Sequence, residues 1–177
     1  MGAVWDRVQY WNATPAERGG VHPADRHVPT GGLHLVRALD VDADPDVVYR
    51  WLCQIAVAPY SYDLIDNLGR RSPRTLTPGA EDVRVGQRFQ IGPVVEVEPG
   101  RQITVATSGL GARVFGRIAI TWSVVPGVDA RSRILACVAV GPVRGPGARV
   151  WQAFLGAGDL VMMRRQLLNL RDLAEGS

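Results

Sequence analysis

The run GRIAITWSVV, residues 116–125, limits what this chain can fold into more than any other stretch, because Ile118, Ile120, Trp122 and Val124 recur at every second position. Period two puts these four side chains on one face of a pleated strand. Such a strand needs hydrogen-bonding partners and a covered face. Turn signals supply the partners: Gly92-Pro93, Pro99-Gly100, Gly109 to Gly111 and Pro126-Gly127 recur at strand spacing. Glycine and proline so placed make tight reversals. The pattern predicts strands near 86–91, 93–98, 101–108, 115–125 and 131–141, joined as adjacent hairpins in one antiparallel sheet.

The flanks predict what packs on that sheet. LHLVRALDVD, residues 33–42, alternates Leu33, Leu35, Leu39 and Val41 on one face and adds a further strand, for about six in all. A helix follows, with Asp44 as its cap, Pro45 at its first position and Asp46 at the positive end of its dipole. Pro59 stops it. SYDLIDNLG, residues 61–69, fits a second short helix with Ser61 as cap and Gly69 just past its end. After the Gly/Pro stretch GPVRGPG comes a long helix over 149–174. Gly156 and Gly158 allow it a kink or a late start near Asp159, and Leu160, Met163, Leu167, Leu170 and Ala174 form its apolar stripe. Residues 1–32, with three prolines and two glycine pairs, read as an irregular extension whose Trp5, Tyr10 and Trp11 anchor it across the domain.

Composition excludes several functions. A chain of 177 residues suits a single domain with a real core, and 46% hydrophobic with 21% charged residues is ordinary for a globular protein. The net charge is +3, and the arginines are scattered, which argues against phosphate tracking on a nucleic acid. No apolar run approaches a membrane span and the N-terminus lacks signal-peptide character, so the expectation is a cytoplasmic protein. Cys53 and Cys137 sit in apolar segments and read as free, buried thiols. His22 and His27 flank Asp25 in HPADRH, and with His34 they show no metal-ligand spacing, so neither a metal nor a cofactor is expected. No Gly-x-Ser-x-Gly elbow and no phosphate loop is present. Arg164 and Arg165 are expected to pair with Asp159 or another carboxylate in an ion pair on the surface of the last helix.

One strand, two short helices, a meander and a long C-terminal helix is a specific order. Together with DADPDVVYRWLCQI, YSYDLIDNLGR, VRVGQRF and GDLVMMRRQLLNL, it resembles the START-like, pollen-allergen-like, polyketide cyclase/dehydrase superfamily known as SRPBCC. YWNATPAE resembles the N-terminal extension of a bacterial branch carrying a Tyr-Ser-Tyr-Asp segment. The resemblance covers residues 9 to 174 and implies an α+β helix-grip fold, a curled antiparallel sheet around a long C-terminal helix, over residues 33–177. It also implies an apolar cavity between sheet and helix. Candidate ligand-binding residues are Trp51, Tyr60, Tyr62, Phe89, Trp122, Met162 and Met163.

The leading expectation is binding of a small hydrophobic or amphipathic molecule in that cavity, with homodimer formation left open. A polyketide cyclase or dehydratase, with Tyr62 and Asp63 as acid–base groups, is the second reading. A protein-interaction or chaperone-like module is the third. PYSYDLIDNLGRRSP, residues 59–73, is expected to form the lip of the cavity, with Tyr60 or Tyr62 turned inward; Arg70, Arg71 and Arg74 are expected in a solvated loop, with screening of an acidic ligand as the second reading. Asp66 and Asn67 are expected in solvated or capping roles.

Overall fold

The computed structural model describes residues 2–127, 131–143 and 145–177. Residues 128–130, in the reversal after Pro126-Gly127, and Arg144, in the Gly/Pro stretch, lie outside the described residues.

Five antiparallel strands form the sheet: β1 (Leu33–Val41), β2 (Val94–Glu98), β3 (Gln102–Ala106), β4 (Ile118–Pro126) and β5 (Ser132–Val140), in the order β1-β5-β4-β3-β2. The first strand therefore pairs with the last, in register from Leu33 opposite Val140 to Val41 opposite Ser132. Because side chains alternate, Leu35, Leu39, Ile120, Trp122, Val124, Ile134 and Val138 face one way and join the main core. The long helix α6 (Ala148–Glu175) lies across that face, with Met163, Leu167, Leu170 and Ala174 buried against it. Complete burial of Leu167 and Leu170 contributes about 1.5–3 kcal/mol each. An antiparallel sheet curled over one long helix is the α+β helix-grip architecture.

The two helices expected after β1 are present. In α3 (Pro45–Cys53) the Asp44 carboxylate accepts the Asp46 amide at 2.8 Å, with Pro45 in the first turn. The second, α4 (Asp63–Asp66), is a single turn that starts after Tyr62, one residue beyond the expected cap Ser61. The Gly69 amide bonds back to the Asp63 carbonyl at 2.8 Å, with Gly69 at φ +77°. Cys53 and Cys137 are free and buried.

Four expectations are corrected. Residues 86–91 form no strand: only an isolated bridge joins Arg88 to Pro93. Phe89 alone of these six is buried, so the stretch has no alternating face to bury. The turn at Gly109 to Gly111 opens a short helix, α5 (Gly109–Phe115), and the following strand begins only at Ile118. The N-terminal extension is helical rather than irregular, with α1 (Gly2–Gln9), α2 (Pro15–Gly19) and a 3-10 turn at Pro23–His27. Thr14 and Glu17 cap α2 reciprocally, each side chain bonding the other's backbone amide. Finally, α6 starts at Ala148 and runs through Gly156 and Gly158 unbroken. Gly156 has a packing reason: a Cβ there would meet Trp5 Cη2 at 3.2 Å, so its absence lets α1 lie close.

The extension covers the sheet's other face. Tyr10 packs with Ala13, Val36, Ala38 and Leu135, while Ala24 and Val28 pack with Ala119, Cys137 and Ala139. Trp5 and Trp11 reach the main core. Arg133 on β5 clasps the extension, donating to both Glu17 carboxylate oxygens at 2.6 and 3.0 Å and to the Asn12 carbonyl at 2.8 Å.

Candidate ligand-binding groove

The segment 59–61 is fastened to α6 by two amide side chains one helical turn apart. Gln166 Nε2 donates to the Pro59 carbonyl at 2.6 Å, and Asn169 Nδ2 donates to the Tyr60 carbonyl at 2.8 Å. Gln166 Oε1 in turn accepts the Trp122 indole N–H at 3.0 Å, so sheet, helix and loop share one buried polar network. Tyr60 needs this fastening. Its φ of +55° is a left-handed conformation that a side chain disfavours, at a cost of about 1–3 kcal/mol that the surroundings must offset. The strain turns the ring inward, edge-on to Trp51 at 6.2 Å, and leaves Tyr60 only 2% exposed. Its hydroxyl donates to Gln54 Oε1 at 3.4 Å, and Thr77 donates to the same oxygen at 3.0 Å. Burial, with the nearby Asp63 charge, pushes the phenol up to about 12. It therefore stays a hydrogen-bond donor at neutral pH.

Above Tyr60 lies an open groove of about 700 Å³ between the 60–65 and 72–74 segments and the outer side of α6. Its apolar wall is Tyr62, Leu64 and Ile65, all exposed. Its two described carboxylates are already engaged. Asp63 accepts from both the hydroxyl and the amide of Ser72. Partial burial alone would raise its carboxyl, but these bonds, with Asn67 and Arg71, hold it below its ordinary value. Asp172 is bonded by Arg171 at 2.8 Å. Three guanidinium groups, Arg74, Arg164 and Arg165, also line the groove. Among the described residues none of these three has a carboxylate partner within ion-pair distance. Arg164 instead lies over the Trp11 ring at 5.6 Å. The groove thus combines exposed apolar surface with uncompensated positive charge.

The other sequence candidates divide between this groove and the interior. Trp51, Phe89, Trp122 and Met163 are buried in the core cluster that also holds Tyr60. Phe89 and Trp122 are 5.8 Å apart. Met162 is half-buried on the neighbouring side of α6, and Tyr62 lies at the groove wall, 39% exposed. Asn67 donates to the Arg70 carbonyl at 2.7 Å, a turn-closing role, while the Asp66 side chain lies outside the described residues.

Sequence reasoning missed two arrangements. Asp159 does not pair with Arg164 or Arg165. It makes a 2.9 Å ionic contact with Arg37, a fully buried residue on the core-facing side of β1, where the Leu33 to Val41 alternation implied an apolar side chain. The angles of that contact fall short of a hydrogen bond, and the Arg37 guanidinium is anchored by the Gln9 carbonyl at 2.6 Å. Burial outweighs Arg37's attraction and pushes the Asp159 carboxyl up to about 6. Period two assigns a face to Arg37; it does not say that a charge will be tolerated there. The second arrangement joins residues far apart in sequence: His34 on β1 and Cys137 on β5 meet at 3.2 Å, and the His22 ring lies 5.6 Å from that of His34. His27 points elsewhere, toward Glu96 at 3.5 Å.

No family model and no curated protein matches this chain. Solved structures share the fold at low identity. A di-domain ARO/CYC protein, BexL, from the BE-7585A biosynthetic pathway superposes with a TM-score of 0.52 at 18% identity, over 80% of this chain and 46% of BexL. This chain therefore spans about half of BexL. Protein MLL2253 from Mesorhizobium loti gives 0.51 at 15% identity, covering 81% of this chain and 98% of that one. A protein from Thermobifida fusca gives 0.52 at 15% identity, covering 79% and 94%. These likenesses establish the fold, which this chain shares with the di-domain ARO/CYC protein BexL. No helix of the described residues is long and apolar enough to cross a membrane.

Proposed function

We propose that this protein binds a small amphipathic molecule carrying an acidic group, at the groove where the 59–65 segment meets the C-terminal helix. The observation that carries this reading is the charge imbalance there. Both described carboxylates of the groove are bonded within the protein, and three arginines with no carboxylate partner among the described residues stand beside Tyr62, Leu64 and Ile65. A ligand's apolar body would cover that exposed wall, and its anionic end would find the guanidinium groups. Tyr60, below, lies between the groove and the packed core, and Trp51, Phe89, Trp122 and Met163 would respond to a ligand that reaches deeper. Residues 33–177 form the ligand-binding unit in this reading, with the N-terminal segment packed on it.

A cyclase-like reaction is the second reading, and the fold shared with BexL favours it. There, Tyr62 and Asp63 would serve as acid and base. Asp63, held ionised by Ser72, suits the base role better than the acid role.

Titration with anilinonaphthalene sulfonate, an aromatic anion whose fluorescence rises on burial, tests the binding proposal. Saturable one-to-one binding is expected, weakened at least ~10-fold in an Arg164→Ser, Arg165→Ser double variant, as loss of about 1.4 kcal/mol implies. Equal affinity in the double variant would overturn it.

A further inference from the structure

The outer face of the sheet, away from α6, holds a cluster that the groove does not use. We propose that His22, His34 and Cys137, with Asp25 closing the fourth position, form a structural site for a zinc-type transition-metal ion that pins the N-terminal segment to the sheet. The donor atoms of His22, His34 and Cys137 lie within 4.8 Å of one another. Tetrahedral zinc, with bonds of about 2.0–2.3 Å, sets neighbouring donors roughly 3.3–3.8 Å apart. His34 Nε2 and Cys137 Sγ are already 3.2 Å apart, and the Asp25 carboxylate lies outside the group of three at 3.3 Å from His34 Nε2, so movement by His22 and Asp25 completes the set.

The fold brings these residues together from three separate elements. His34 is opposite Ala139 in the β1–β5 register, and Cys137 is opposite Val36. They are diagonal neighbours on one face of the sheet, a spacing that lets long side chains touch. His22 immediately precedes the 3-10 turn at Pro23–His27, which carries Asp25 over the same spot. Small side chains, Ala24, Ala119 and Ala139, pack beside the thiol.

The surrounding hydrogen bonds are those a metal site needs. His22 Nε2 bonds the Glu17 carbonyl at 2.9 Å. A carbonyl only accepts, so the proton sits on Nε2 and the lone pair on Nδ1, the usual way an outer bond fixes a ligating imidazole. One Asp25 oxygen accepts the His22 amide at 2.8 Å, and the other lies 3.3 Å from His34 Nε2. His34 Nε2 therefore faces a thiol and a carboxylate at once. A lone imidazole proton can serve only one of them, whereas a metal ion between the three binds all. Two imidazoles, one thiolate and one carboxylate suit zinc or cobalt(II) and not calcium or magnesium. With Cys137 buried and His34 and Asp25 at the rim, the site is closed on the sheet side, as structural sites are.

The test uses the full chain, stripped with a chelator and titrated with zinc alone or cobalt(II) alone. One equivalent should bind, with release of the thiol proton, a thiolate-to-cobalt charge-transfer band and a rise in Tm. His22→Gln, on the packed-on segment and outside the sheet, should weaken zinc binding at least ~10-fold while leaving the apo chain folded. Cys137→Ser should abolish the charge-transfer band. His27→Gln, whose side chain faces Glu96, should bind like the wild type. Absence of stoichiometric binding, or a cobalt complex without the thiolate band, would overturn the proposal. So would a site lost in His27→Gln and kept in His22→Gln.

Discussion

Tyr60 occupies a left-handed backbone conformation because Gln166 and Asn169 hold the carbonyls on either side of its Cα in place. The backbone contact should therefore matter more than the phenol. Asn169→Ala, which leaves the Tyr60 carbonyl without its donor, should cost about 1–3 kcal/mol, while Tyr60→Phe should cost about 0.5 kcal/mol, since its 3.4 Å bond is long. Urea unfolding of the two variants checks the ranking; equal losses would contradict it. Asp159 makes the residue scale pH-dependent. Its carboxyl is raised from 3.8 to about 6 by burial, so the folded state keeps a proton that the unfolded chain has lost in between. The stability this group contributes is full below about 3.8 and is lost as pH rises past about 6. The Tm difference between wild type and Asp159→Asn should accordingly shrink or turn negative as pH rises from 4 to 7. A difference that grows over that range would refute the assignment.

Among elements, those with a strong local period and a chemical boundary were legible in the sequence. Ile118 to Val124 announces β4, and Asp44-Pro45 announces the start of α3 to the residue. Replacing Asp44 by Ala removes the acceptor of the Asp46 amide and should cost about 1 kcal/mol, read from the shift in urea midpoint; no shift would mean that α3 is held by packing alone. Illegible elements lacked such a period. Residues 86–91 carry strand-like composition but one buried side chain, and Gly109 to Gly111 spells a turn even though a helix follows. The N-terminal helices were hidden because prolines that break long helices also start short ones, as Pro15 does after Thr14. Of the groove, the inward turn of one tyrosine in the 59–73 segment was legible in the sequence, but its partners on α6 were not. Gln166 and Asn169 look like solvent-facing polar residues until the helix is docked. That Arg74, Arg164 and Arg165 have no carboxylate partner among the described residues is a property of space, not of sequence.

For the molecule as a whole, the extension and the sheet behave as one body because Arg133 ties Glu17, Asn12 and Asp40 together at 2.6–3.0 Å. Breaking that clasp with Arg133→Ala should speed hydrogen exchange across residues 12–20, with β3 and β4 still protected. Uniform loss of protection would instead mean that the clasp supports the entire fold. The proposed site is one groove, between the 59–65 segment and α6, for an acidic amphipathic ligand. Amide chemical-shift mapping of the labelled chain during titration with anilinonaphthalene sulfonate tests it most directly. Saturable shifts confined to residues 60–65, 72–74 and 164–173 are expected. Shifts centred instead on the depression lined by Gly86, Arg88, Gln90 and Leu110 at the β2 edge, or no saturable shifts at all, would contradict it.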